Sequence, residues 1–209
     1  MRILNLYSGI GGNRKKWGDK HQITAVEINP KIAQIYEDHF PNDEIIIADA
    51  HQFLLEHYSE YDFIWSSPPC PSHSMTNTFL NAQGIIRYPD MNLYQEILLL
   101  KHFHKGFHCV ENVKSYYTPL IPPQVGGRHF FWANFRIPKG LQSEVIGKMG
   151  QLVSGRRGER TLSAHGFDLS KYSGLKRRDT ILRNCVTPEI GEAILNKVLE
   201  LSNKQKQLC

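Results

Sequence analysis

Apolar residues fall along the first half of the chain in short, nearly unbroken runs, separated by amphipathic stretches. Residues 3–7 (ILNLY), 23–28 (ITAVEI), 45–48 (IIIA), 61–65 (YDFIW) and 107–111 (FHCVE) read as strands. Runs this apolar on both alternations predict strands covered on both faces, as in a parallel sheet. The stretches between them carry apolar residues at helical spacing. Helices are predicted from Asn13 to Trp17, from Pro30 to about Phe40, over residues 51–57 and over residues 91–105. Pro30 suits a first helical turn, and Leu93, Ile97, Leu98 and Leu100 are available for burial. A fifth helix, from Pro188 to about Lys204, carries Ile190, Ile194, Leu195 and Val198.

Strands alternating with helices predict an α/β fold: a doubly wound, mostly parallel sheet with helices on both faces, Rossmann-like. The rhythm breaks in the second half. Residues 128–135 (RHFFWANF) look like one more strand, and 136–179 is irregular and basic. The expected organisation is a main domain over 1–135 and 180–209, interrupted by a small segment at 136–179.

Composition narrows this little. A chain of 209 residues with 41% hydrophobic and 22% charged residues is an ordinary globular domain that needs no disulfide staples. A formal net charge of +5 permits a nucleic-acid partner without requiring one. The four cysteines, Cys70, Cys109, Cys185 and Cys209, are widely spaced and form no C-x-x-C pair. With no signal peptide and no apolar run long enough to cross a membrane, the expectation is reduced thiols in a cytoplasm.

Ligands of open α/β sheets sit beyond the carboxyl ends of the strands, and four such ends are marked. Tyr7-Ser8-Gly9-Ile10-Gly11-Gly12 follows the first strand, Glu27 ends the second, Asp49 the third, and Pro68-Pro69-Cys70 follows the fourth. The acids suit ribose hydroxyls and an exocyclic amine, and the glycine turn suits an amino-acid carboxylate. That favours S-adenosylmethionine over a pyrophosphate cofactor, whose G-x-G-x-x-G fingerprint is absent. Cys70 could be a core thiol, a metal ligand or a nucleophile. Its three flanking prolines place it on a rigid loop rather than inside the sheet. The nearby histidines His73, His102, His104 and His108 have no zinc spacing, so no metal is expected. The strand ending in Glu111-Asn112-Val113 sets a carboxyl group beside the thiol. A thiol and a carboxylic acid flanking one pocket serve nucleophilic addition to an electron-poor ring with protonation of a ring nitrogen.

In this order of motifs the chain resembles the cytosine-C5 methyltransferases, mostly DNA enzymes. NLYSGIGG is similar to their cofactor turn, AVEINP to the ribose-binding strand end, IIADAHQF to the adenine-contacting strand end and SPPCPSHS to the nucleophile loop. ENV is similar to their catalytic glutamate motif, QVGGRHFFWANF to their Q-x-R-x-R segment and RNCVTPEIGEAIL to the closing G-N-x-V helix. The match covers roughly 1–135 and 180–200.

The resemblance implies that Cys70 adds to C6 of a flipped cytosine, that Glu111 hydrogen-bonds or protonates N3, and that Arg128 holds the base oxygen and orders the cysteine loop. It implies an S-adenosylmethionine site formed by Tyr7, Ser8, Gly9, Ile10, Gly11, Gly12, Glu27, Ile28, Asp49, Ala50, Pro68, Asn184 and Val186. In it Tyr7 would stack near the adenine, Ile28 pack on it and Asp49 meet its amine. Residues 72–90, with Ser72, Ser74, Thr76, Asn77 and Arg87, would form a lid over the nucleic acid. Arg156, Arg157, Arg160, Arg177 and Arg178 would grip phosphates.

Three departures stand out. Gly126 occupies the first arginine position of Q-x-R-x-R, Arg183 replaces the glycine of G-N-x-V, and the segment where target recognition belongs is only about 40 residues long. The expected partner is double-stranded DNA, ahead of RNA, with a partner chain that supplies target recognition as a further candidate; the family includes a tRNA-directed branch. The small size suits a bacterial or phage-encoded enzyme. A non-catalytic binding subunit that keeps the fold, and a nucleotide-dependent oxidoreductase, are the rival readings.

Overall fold

The computed structural model describes residues 1–141, 164–175 and 178–208. Seven strands form one sheet: β1 (Arg2–Leu6), β2 (Gln22–Val26), β3 (Glu44–Ile46), β4 (Phe63–Ser66), β5 (Phe107–Val113), β6 (Gln124–Gly126) and β7 (His129–Ala133). The described helices are α1 (Pro30–His39), α2 (Ala50–His57), α3 (Asn77–Ala82), α4 (Asn92–Phe103), α5 (Arg178–Arg183) and α6 (Pro188–Leu208). The strand order is β3-β2-β1-β4-β5-β7-β6. Strands β1 to β5 pair in parallel, and β7 runs antiparallel between β5 and β6. The doubly wound, mostly parallel sheet expected from the sequence is thus present.

Burial explains the layers. Ile3, Trp65, Cys109 and Phe131 on one face pack with Ile190, Ile194 and Val198 of α6. Leu4, Ile64 and Val110 on the other face pack with Leu54 of α2 and with Leu93, Ile97 and Leu100 of α4. A third cluster joins Ile10 and Ile35 to Phe167, Leu169 and Leu182. Ile137 and Leu141 lie in the first cluster. The described ends of the 136–179 stretch therefore contribute side chains to the core of the sheet domain.

Local chemistry fixes the helix starts. Asn29 caps α1 through the Lys31 amide, with Pro30 at the first position, and Asp49 caps α2 through the Gln52 amide. Some sequence expectations shift. Asn13–Lys16 is a 3-10 turn rather than the start of an α-helix, held where Asn13 Nδ2 donates to Asn5 Oδ1 at 2.8 Å. Leu98, expected in the core, is 47% exposed. The strand expected over 128–135 is present as β7, and the short β6 that pairs with it in a hairpin was not anticipated.

Candidate active site

Strand order reverses between β1 and β4, so the loops leaving these strands part and open a crevice. The glycine turn leaves β1 there, and the Pro68-Pro69-Cys70 loop leaves β4. Register then places Glu111. Ser66 pairs with Val110 across β4 and β5, which aligns Ser67 with Glu111 one step beyond. The Ser67 hydroxyl donates to Glu111 Oε2 at 2.9 Å and accepts from Trp65 Nε1 at 2.7 Å. Asn112 Nδ2 donates to the Pro68 carbonyl at 3.0 Å. The cysteine loop and the E-N-V strand are therefore tied twice, by residues flanking both motifs.

Cys70 is half-buried. Burial first, and the charge of Glu111 second, push its thiol above the ordinary value. Its carbonyl accepts from the His73 and Ser74 amides at 3.0 Å each, which closes the loop into a tight turn. Glu111 is buried, and its second oxygen, Oε1, lies 3.0 Å from Nδ1 of His129 on β7. That approach is off the direction of a full hydrogen bond, and Nδ1 has no other partner among the described residues.

Glu27 shapes the expected cofactor end. Its two carboxylate oxygens accept from the Gly9 amide at 3.1 Å and the Asn29 amide at 2.9 Å, so it braces the glycine turn against α1. Beside it Ile28 is 64% exposed, an apolar side chain left open at a strand end. The Ser8 hydroxyl is buried in the turn without a partner among the described residues. An acid, an open apolar surface and an orphaned hydroxyl around one crevice fit a ligand carrying ribose, a purine face and a polar tail. Gly12 is a point of close approach. A Cβ there would lie 2.5 Å from the Val186 carbonyl, so the closing motif packs directly on the cofactor turn. Val186 is buried, whereas Asn184 and Arg183 are exposed. Asp49, besides standing at its strand end, spends one oxygen on capping α2, and Ala50, the first residue of α2, is buried.

Tyr7 differs from a simple stacking residue. It takes φ +54°, a left-handed conformation costing about 1–2 kcal/mol for a residue with a Cβ. Its hydroxyl donates to Glu96 Oε1 at 2.6 Å. Glu96 is fully buried on α4, its Oε2 accepts from the Ser66 hydroxyl at 2.6 Å, and His51 Nδ1 lies 3.0 Å from Oε1. Burial and this acid together push the tyrosine hydroxyl far above its ordinary value. Glu96, Ser67 and His129 have no place in the expected site. For Glu96 the signal was present: residues 93, 96, 97 and 100 share one buried helix face, and an acid among leucines there calls for a partner.

The hairpin explains one departure. Gly126 is buried, and a Cβ there would lie 2.8 Å from the Phe131 ring and 3.2 Å from Leu141. No arginine fits at this position without displacing the core. Gly126→Arg is therefore expected to destabilise the fold by about 1–3 kcal/mol, seen as a lower midpoint in thermal unfolding, rather than to restore a missing contact. Arg128 is exposed at the hairpin turn, where its carbonyl accepts from the Lys114 amide at 3.2 Å.

Of the expected nucleic-acid contacts, Arg156, Arg157, Arg160 and Arg177 lie outside the described residues. Arg178 donates to the Tyr172 carbonyl. Ser72 Oγ accepts from the Asp90 amide at 3.2 Å, and Ser74 Oγ accepts from the Thr76 amide at 3.3 Å. Arg87 is exposed. The expected lid contains α3 and exposes Met75, Phe79, Ile85, Ile86 and Tyr88. Its buried anchors are His73, whose Nδ1 lies 2.6 Å from the Tyr117 hydroxyl, and Asn77, which donates to the Pro71 carbonyl at 2.7 Å. No cluster of metal-ligating side chains occurs among the described residues. A cleft lined by Arg2, Thr24, Glu44 and Tyr61 lies at the opposite edge of the sheet and touches none of the expected site residues.

Comparison with known proteins bears on the family and the fold. The profile of the C-5 cytosine-specific DNA methylases matches residues 1–118. A human tRNA (cytosine(38)-C(5))-methyltransferase is 27% identical over 175 residues, covering 70% of this chain and 44% of that protein. A type II methyltransferase of Haemophilus parahaemolyticus is 26% identical over 127 residues, covering 56% of this chain and 34% of that one. The chain spans less than half the length of the curated relatives it matches. Among solved structures, an Entamoeba histolytica methyltransferase superposes with a TM-score of 0.55 at 12% identity, covering 95% of this chain and 97% of that chain. The fold is thus a Rossmann-like methyltransferase fold.

Proposed function

Since the chain belongs to the C-5 cytosine-specific DNA methylase family, we propose that it methylates C5 of cytosine in a nucleic acid through a transient covalent bond from Cys70. The observation that carries this reading is the double tie between the Cys70 loop and the Glu111 strand, through Ser67 and Asn112. It holds a nucleophile and an acid at neighbouring strand ends, beside the crevice of the glycine turn.

Membership of the family implies S-adenosylmethionine, which when bound supplies an electrophilic methyl group. The residues proposed to hold it are Tyr7, Ser8, Gly9, Ile10, Gly11, Gly12, Glu27, Ile28, Asp49, Ala50, Pro68, Asn184 and Val186. The target cytosine must leave the base stack, because C6 is inaccessible within it. The Cys70 thiolate forms a bond to C6 while Glu111 gives a proton to N3, so the electron pair of the 5,6 double bond becomes available at C5. After C5 has gained its methyl group it loses its proton, the sulfur–C6 bond breaks, and N3 returns its proton to Glu111. Cys70 is released as a thiolate and the ring is restored. Arg128, exposed at the hairpin turn, is the residue proposed to hold the base oxygen.

Duplex DNA is the substrate proposed first, on the family's description. A tRNA is the second reading, since tRNA (cytosine(38)-C(5))-methyltransferases from several animals are among the relatives. Methyl transfer from labelled S-adenosylmethionine to duplex DNA, single-stranded DNA and tRNA separates these, and bisulfite sequencing reads the site. Label in duplex DNA is the expected result. Label confined to tRNA replaces the substrate; no label on any of the three removes the catalytic reading and leaves a binding subunit.

A further inference from the structure

Glu111 presents a difficulty for the chemistry above. Its charge disfavours the Cys70 thiolate, which burial already disfavours. A site that needs both groups must cancel that charge before the thiol ionises. Ser67 reaches one carboxylate oxygen, but a hydroxyl carries no charge. Any compensating cation must come from the other side.

Position 129 provides one. Glu111 pairs directly with Phe131 across β5 and β7, and Val113 pairs with His129. Directly opposed residues share a face, so Glu111 and His129 are diagonal neighbours on one face, within reach of long side chains. Both side chains are buried, and Nδ1 stands 3.0 Å from Oε1. The buried Nδ1 has no other partner among the described residues. Gly126 pairs with His129 on β6, and it is the position where no side chain fits. The hairpin therefore excludes a cation at 126 and supplies a titratable one directly across from it.

We propose that His129 is a positioning residue of this site: as an imidazolium it pairs with Glu111, cancels its charge on the Cys70 side and lets the nucleophile ionise. The inference rests on the catalytic reading for its purpose, but the coupling itself exists without any substrate. The titratable groups around the pair are Cys70 on the loop after β4 and Cys109 on β5, both of which feel Glu111. Arg128 precedes His129 in the turn, and Lys114 follows the end of β5. The proton that Glu111 gives to N3 comes from the imidazolium: Nδ1 passes its proton to Oε1 as N3 is protonated, and the proton returns to Nδ1 by the same route when the ring is restored.

Thiol alkylation tests this directly. Cys70 is read by mass spectrometry after short exposure to iodoacetamide, from pH 6 to 9. Cys109 is fully buried, and burial pushes the Cys185 thiol up to about 12, so Cys70 is the responsive thiol among the described cysteines. His129→Phe is expected to slow its alkylation about tenfold at pH 7, the factor that one unit of thiol ionisation carries. His129→Arg, whose guanidinium keeps a positive charge beside Glu111, should hold the wild-type rate at pH 7. In a Glu111→Gln background the His129→Phe effect should vanish.

An unchanged Cys70 rate in a folded His129→Phe protein, or an equal slowing with and without Glu111, overturns the coupling whatever the enzyme does. If His129→Phe fails to fold, His129→Asn, which keeps a donor without charge, carries the same comparison. Methyl transfer then tests the purpose. kcat should fall with alkylation in His129→Phe, and His129→Arg, which keeps the charge but gives up no proton, should restore alkylation more than kcat, with nucleic-acid affinity unchanged. Coupling without any methyl transfer by the wild type would sink the catalytic reading, and the purpose of His129 with it, while leaving the pair itself in place.

Discussion

Cys70→Ser is expected to abolish methyl transfer, with a loss of at least about a thousandfold in kcat, and to leave S-adenosylmethionine binding intact. A serine hydroxyl is far less acidic than a thiol, so almost no alkoxide exists at neutral pH to attack C6. The substitution removes little packing volume, and the loop does not depend on sulfur. It is closed by the Cys70 carbonyl and by the Asn112–Pro68 bond. A 5-fluorocytosine substrate offers the sharper readout. Fluorine at C5 cannot leave as a proton, so the wild type should be trapped as an adduct stable to denaturing electrophoresis, and Cys70→Ser should form none. Full activity in Cys70→Ser would end the covalent mechanism. The pH dependence has a sign. Because burial and Glu111 hold the thiol above its ordinary value, adduct formation should rise with pH over the neutral range, as the thiolate fraction grows.

Removal of Glu96 should have the largest effect on the fold. This acid is fully buried, with the Tyr7 and Ser66 hydroxyls donating to it at 2.6 Å each and the His51 ring 3.0 Å away. Glu96→Ala leaves those groups facing a cavity. Stranded buried donors cost about 1–3 kcal/mol each, so a total near or above 3 kcal/mol is expected. For a domain of this size that lowers the thermal midpoint by roughly 6–12 °C. Glu96→Gln keeps one acceptor oxygen and should lose less. The effect should reach the ligand edge as well. The Tyr7 hydroxyl bond holds a residue with positive φ at the head of the glycine turn, so S-adenosylmethionine affinity should fall in Glu96→Ala even at temperatures where the protein is folded. Unchanged affinity in the folded variant would show that Tyr7 is positioned by other contacts.

These two predictions differ in how far the sequence anticipated them. Cys70 was legible because three prolines around a thiol after an apolar strand leave few structural roles. Glu111 was legible because its strand follows in order and ends in E-N-V. Motif order thus identified the candidates for the reacting groups. Glu96 lies in a helix where most positions serve packing, and its importance depends on two hydroxyls and a ring brought from β1, β4 and α2. Ser67 stood inside the proline-rich stretch without a role until register set it beside Glu111. His129 looked like one residue in an aromatic strand, and became a partner of Glu111 only once that strand was resolved as β7 of a hairpin.

The same division holds for the fold. Hydrophobic patterning alone determined the parallel α/β sheet, because strands buried on both faces must be apolar on both alternations, and helices must cover them. It also marked which strand ends are candidates for chemistry, since loops can hold glycines, prolines and acids that a sheet interior cannot. Tertiary structure alone decided which of those polar groups meet. Contacts such as Glu96 with Tyr7, Ser67 with Glu111, and His129 with Glu111 link residues from 18 to 89 positions apart. No local periodicity encodes such distances; the strand order and register that bring them together are set by the packing of the whole sheet.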